Sequence, residues 1–280
     1  MAGPKVTGMA TLPNPLPHLT TDPTGGTLGL ALPAGRLIDT TDEGPWHEPL
    51  LWHADAPSAP GDWAAHHDAY RAAGLVPVVI EVGGGQGGPQ DWELMPADTS
   101  YPGDHDAEEV LTEFWEEYAA EEDVWPGLSP ATTSTTSTTS TEAGQTDADE
   151  LAAQLADALL APGSSLKEPR LALVPARRSA DVPAAIGWSG PANYESDTAR
   201  LCAVLRSWED RFGIRVLALT FNQLTLSVAA PPTTLTEAEA VAAEHFAFCP
   251  DNITQGPHNT LRTYAEHELL NTRTWTFWWD

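Results

Sequence analysis

Apolar residues recur along this chain with two different spacings, and those spacings divide it into helices and strands. Across 106–122, Val110, Leu111, Phe114, Trp115 and Tyr118 fall on one stripe, while Glu108, Glu109, Glu113, Glu116, Glu117 and Glu121 cover the remainder. That is an amphipathic helix with its stripe turned inward. A second helix is predicted over 197–212, with Leu201, Val204, Leu205, Trp208 and Phe212 on one face and Gly213 ending it. Residues 61–73 and 259–270 read as further helices, and Thr236-x-x-Glu239 as the cap of another over 237–248. Leu75–Val82, Leu171–Val174 and Ile214–Phe221 are short, nearly continuous apolar runs, as expected of buried strands. Leu224–Val228 and Thr274–Trp279 alternate instead, which predicts strands with one face buried. Leu28–Ile38 and Ala184–Trp188 read as weaker strands. The fold class this pattern predicts is α+β: a mostly antiparallel sheet flanked by helices.

One segment breaks the pattern. From Pro126 through 146 the chain is dominated by a Thr/Ser run with nothing to bury, so a disordered insertion or exposed loop is expected. It separates an acidic α/β N-terminal region, 28–125, from a C-terminal α+β region, 147–280; residues 1–27 read as a loose lead-in. Thr146-Asp147-Ala148-Asp149 carries a capping signature ahead of Leu151, Leu155 and Leu159.

Charge sharpens that division. The net charge is −27; residues 1–165 hold 3 basic and 27 acidic side chains, and 166–280 hold 10 and 13. A field of that sign repels phosphate backbones, which argues against nucleic acid; it serves solubility, and it would speed encounter with a basic protein. No run approaches the ~20 apolar residues of a membrane span. The start, Met1-Ala2-Gly3-Pro4-Lys5, has no signal-peptide pattern, and Cys202 and Cys249 are too few for a disulfide framework. A cytoplasmic location is the expectation.

In its last third the chain carries Trp208-Glu209-x-Arg211-Phe212-Gly213, Pro231-Pro232, Ala242-Ala243-Glu244-His245 with Phe248-Cys249-Pro250-Asp251, Thr260 to Ala265, and Trp275 to Asp280. On these residues, about 168–280 resembles the domain of unknown function 4253 family. That resemblance implies no assigned activity, so chemistry must be read from the residues themselves.

Gly83-x-Gly85-x-x-Gly88 matches a dinucleotide fingerprint in spelling, but only Pro89 to Met95 follows before Pro96, too short for the helix such a site needs. A flexible loop and no cofactor are expected. His47, Glu48, His53, His66, His67 and Asp68 supply metal-ligand atoms at spacings that align no two on one face, so no metal is expected there. The helix-end group differs. Ala238, Val241, Ala242, His245 and Cys249 share a stripe, which sets His245 one turn from Cys249 on the inward side. Such a pair can activate a thiolate or bind a ligand; equally, it can be hydrogen-bonded core. Asp251, Asn252, Gln255 and His258 lie on the loop that follows, and Trp278 points opposite Trp275 and Trp279. The candidate binding residues are therefore Glu244, His245, Cys249, Asp251, Asn252, Gln255 and Trp278. The leading expectation is a non-enzymatic acidic protein that binds a basic partner, in the manner of an immunity protein. The alternative is a hydrolase acting through Glu244, His245, Cys249 and Asp251.

Overall fold

The computed structural model describes residues 13–65, 67–120, 123–131 and 141–280, the last without the side chains of 141–147. The Thr/Ser run at 132–140, the first 12 residues, His66 and residues 121–122 lie outside the described residues.

A seven-stranded sheet organises the molecule. Its strands are β1 (Gly35–Ile38), β2 (Leu51–Ala54), β3 (Leu75–Glu81), β4 (Pro169–Pro175), β5 (Ile214–Leu219), β6 (Gln223–Val228) and β7 (Thr274–Trp278). The spatial order is β1-β2-β4-β3-β5-β6-β7, so a strand from the family-like segment sits between two from the acidic half. Every pairing is antiparallel except β3 with β5, where Val79 lies opposite Ala218 and Ile80 opposite Leu219. This is the α+β arrangement that the alternating and continuous apolar runs predict.

Helices cover both faces, which is why the central strands are apolar on both sides. The principal ones are α1 (His67–Ala72), α2 (Ala107–Tyr118), α3 (Thr141–Leu160), α4 (Val182–Ile186), α5 (Thr198–Phe212), α6 (Leu235–Phe248) and α7 (Leu261–Tyr264, continued as a π turn through Leu269). One core gathers α2, α5 and α6 against Val78, Ile80, Val216, Leu226, Trp275 and Phe277. The other packs Trp52, Val79, Leu171 and Leu217 against Tyr70 of α1 and Ala152 and Ala156 of α3.

Capping explains where the best-patterned helices begin and end. The Asp106 carboxylate accepts from the Glu108 and Glu109 amides at the start of α2, satisfying two donors the helix leaves unpaired. Asp197 caps α5 in the same way, and Gly213 closes it at φ 61°, a conformation that costs glycine little.

Several elements depart from the sequence pattern. The predicted helix over 61–73 shrinks to His67–Ala72, because the Gly61 amide is taken by Asp157 of α3 at 2.7 Å and the chain turns there. Leu28–Ile38 contributes only Gly35–Ile38 as strand. Ala184–Trp188 is not a strand: Pro183 lies in the first helical turn, where its missing N–H costs nothing, and Gly187 ends α4 at φ 63°. The cap of α6 is Thr234 with Glu237 rather than Thr236 with Glu239, the helix starting as soon as Pro231-Pro232 allow. Thr146 falls inside α3, which is continuous from Thr141, so Thr146-Asp149 is not its start. The predicted 259–270 helix is α for four residues and π thereafter. Pro89–Asp91 forms a single 3₁₀ turn, the short element expected after the glycine loop. No helix among the described residues is long and apolar enough to cross a membrane.

Candidate functional site

The inward stripe of α6 forms as spaced, with Ala238, Val241, Ala242 and His245 buried and Cys249 at the helix end. Its neighbours divide the predicted residues among three environments. Glu244 is fully buried and holds four hydrogen bonds. Its Oε1 accepts from the Ser129 amide at 2.7 Å and from Arg211 Nη1 at 2.8 Å; its Oε2 accepts from the Trp208 indole at 2.8 Å and from Arg211 Nη2 at 2.5 Å. Arg211 also reaches the Ser129 carbonyl at 2.8 Å. This is a bidentate charge pair completed by neutral donors, the condition under which a buried charge is tolerated. It ties α5 and α6 to the segment that precedes the Thr/Ser run.

His245 faces the other way. It has no exposed surface, and its ring lies 4.9 Å from Trp208, 4.6 Å from Trp275 and 4.7 Å from Phe277, centroid to centroid. The Asn252 amide donates to the Tyr264 oxygen at 3.3 Å, and that hydroxyl is hydrogen-bonded to His245 Nδ1 at 3.1 Å. Burial holds the His245 pKa well below its usual range, and the ring is neutral. Cys249 belongs to a different set of bonds: its thiol donates to the Trp278 carbonyl at 3.0 Å and contacts Asn252 Oδ1 at 3.5 Å. Burial raises that thiol to about 12. A neutral imidazole bonded to a tyrosine and a thiol bonded to a carbonyl form a core network, not a nucleophile beside its base.

Asn252 is the hub of that network. Its amide also donates to the Thr276 carbonyl at 2.7 Å, and its carbonyl accepts from the Trp278 amide at 3.2 Å, so the segment after α6, a short helix over Asp251–Thr254 where a loop was expected, is stitched to β7. Trp278 is half-buried while Trp275 and Trp279 are buried, as alternation requires. Asp251 accepts from Gln255 at 2.8 Å and from the Asp280 amide at 3.3 Å, and Gln255 is exposed. His258 lies by Glu268 at 3.4 Å, its ring stacked on His267. Glu244, His245 and Cys249 therefore share a neighbourhood but no common opening, and Asp251 faces the surface.

Two sets of residues that the spacing did not single out are open. The first surrounds Tyr118. Sequence spacing puts this residue on the buried stripe of α2, yet it is 38% exposed because it lies at the last turn. Partial burial, then Glu117, Asp251 and Glu195, raise its phenol pKa, and the ring packs against Tyr194 with centroids 4.8 Å apart. Glu108, Glu109, Glu113, Glu116 and Glu117 are all exposed along the same helix, and of these Glu113 is paired with Arg200.

The second is a groove of about 1030 Å³ beside α1, α3 and α5. Buried Trp63, Leu75 and Phe212 contribute to its lining, together with Arg71, Arg177, Arg178 and Arg215. A smaller cleft of about 370 Å³ shares Arg178 and Asp210 with it and is lined also by Arg206 and Arg211, the arginine whose head group holds Glu244. Long-range convergence alone gathers these side chains.

The histidines considered for a metal disperse: His53 is buried within β2, bonded to the Ala54 carbonyl at 2.8 Å, whereas His47 is exposed and His67 begins α1. Among the described residues no group of three or more His, Cys, Asp or Glu side chains gathers around a common point.

Residues 170–280, the segment that holds Arg211, Glu244, His245 and the terminal tryptophans, match the family model described as Domain of unknown function (DUF4253). No curated protein and no solved structure matches the chain.

Proposed function

We propose that this protein is a non-catalytic interaction protein that docks a basic partner on the acidic face of α2. The observation that carries the reading is Tyr118, an exposed ring at the end of α2 next to exposed Glu116 and Glu117. A Lys or Arg side chain of a partner would meet the open side of the ring and the neighbouring glutamates of α2, combining cation–π and ionic attraction. The other exposed glutamates of α2 extend the same field along the helix and would steer encounter. Antagonism of a basic protein, as immunity proteins perform, is the concrete form of this function.

The reading is tested by co-purification from the native host at roughly 50 mM and roughly 300 mM salt, a range over which screening shortens from beyond 10 Å to below it. A basic protein should co-elute stoichiometrically at low salt, fall away at high salt, and be lost from the Tyr118→Ala/Glu117→Lys variant. Retention by that variant, or indifference to salt, would refute it.

A further inference from the structure

The arginines of this chain are not spread evenly over an acidic molecule. Four of them line the large groove, and three of those are already neutralised by three carboxylates. Arg71 pairs with Asp149 at 3.1 Å, and Arg215 with Asp149 at 2.6 Å and Glu209 at 3.6 Å. Arg178 pairs with Glu209 at 3.2 Å and Asp210 at 2.5 Å. Arg177 is the fourth. It is exposed, and among the described residues its guanidinium has no hydrogen-bond or ionic partner. In a chain of net charge −27, the groove thus carries, among the described residues, one more guanidinium than carboxylate.

Apart from His67 and Ser179, the remainder of the lining is apolar. Half-buried Ala73, Val76, Ala176, Ala229 and Ala230, backed by buried Trp63, Leu75 and Phe212, give a surface that gains from covering by carbon. A volume of about 1030 Å³ accommodates a small organic molecule rather than a lone ion. We propose that this groove is a binding site for a small anionic molecule with an apolar body, its carboxylate or phosphate held by Arg177 and its body lying on the apolar lining. Guanidinium is suited to either head group because its donors form a planar fork matching two oxygens. This site stands apart from the proposed docking on α2 and does not depend on it.

The test uses the full chain and calorimetric titration with phenyl phosphate, benzoate, inorganic phosphate and benzyl alcohol. Phenyl phosphate or benzoate should saturate one site, while inorganic phosphate and benzyl alcohol, each lacking one half of the pharmacophore, bind at least about tenfold more weakly. Arg177→Glu should weaken the anionic probe by at least about tenfold. Arg273→Glu changes the net charge equally at another exposed arginine and should alter affinity by less than about twofold. Absence of saturable binding to the wild-type chain would overturn the proposal without reference to any variant. Equal weakening by the two reversals would reduce the effect to overall charge and overturn it as well. Equal binding of inorganic phosphate and phenyl phosphate would overturn the role given to the apolar lining.

Discussion

Glu244 and Glu117 are the same residue type in opposite situations. Both oxygens of Glu244 are filled by Arg211, Trp208 and Ser129, and no part of it reaches solvent. Glu117 is exposed at the end of α2, beside a tyrosine that is itself 38% exposed. The difference teaches where function can reside. The segment with the richest inventory of reactive residue types has used them as internal connectors, whereas the plainly charged helix retains unfilled bonding capacity. A side chain whose bonds are all satisfied internally stabilises the fold; one whose bonds are open is available to a partner.

The largest way to break that contrast is to remove Glu244. Glu244→Ala leaves Arg211 partly buried without its counter-charge and should cost about 3–5 kcal/mol of stability, read by urea unfolding. A loss under about 1 kcal/mol would mean the pair is dispensable and Glu244 is kept for another purpose.

Next comes pH. His245 and His53 are both held neutral, their pKa values lowered by burial. The unfolded chain takes up protons near its ordinary pKa of about 6.5 while the folded chain does not. Their stabilising contribution is therefore complete above about pH 6.5 and is lost as pH falls below it, by up to ~1.4 kcal/mol per pH unit for each histidine. His245→Gln should flatten the slope between about pH 6.5 and 5; an unchanged slope would mean His245 protonates in the folded state.

A sharper chemical comparison uses Cys249. With its thiol raised to about 12, iodoacetamide at about pH 8 should label the native protein at least about a hundredfold more slowly than the urea-unfolded chain. Rapid native labelling would reopen the hydrolase alternative. The smallest stability effect belongs to the surface: Tyr118→Ala with Glu117→Lys should shift unfolding by no more than about 0.5–1 kcal/mol, while removing partner binding.

Much of the architecture was legible because it is written in local spacing. Helices α2 and α5, strands β3 to β7 and the buried stripe of α6 all follow from apolar period and capping residues. Ala184–Trp188 misled because a short apolar run suits a strand or a helix equally, and Pro183 with Gly187 decided the matter. Thr234 and Thr236 both stand three residues before a glutamate, so spacing could not choose between them. The site was less legible. The partners of Glu244 lie 33, 36 and 115 residues away, and nothing local announces Arg211, Trp208 or Ser129 as its companions. Tyr118 was misplaced because helical periodicity assigns a face but not how far the covering layer extends.

The most direct test of the account is co-purification at low salt of the wild type, Cys249→Ser and Tyr118→Ala/Glu117→Lys from the native host. The account predicts that a basic protein accompanies the wild type and Cys249→Ser equally and is absent from the surface variant. Capture that survives the surface change but is lost with Cys249→Ser would contradict it.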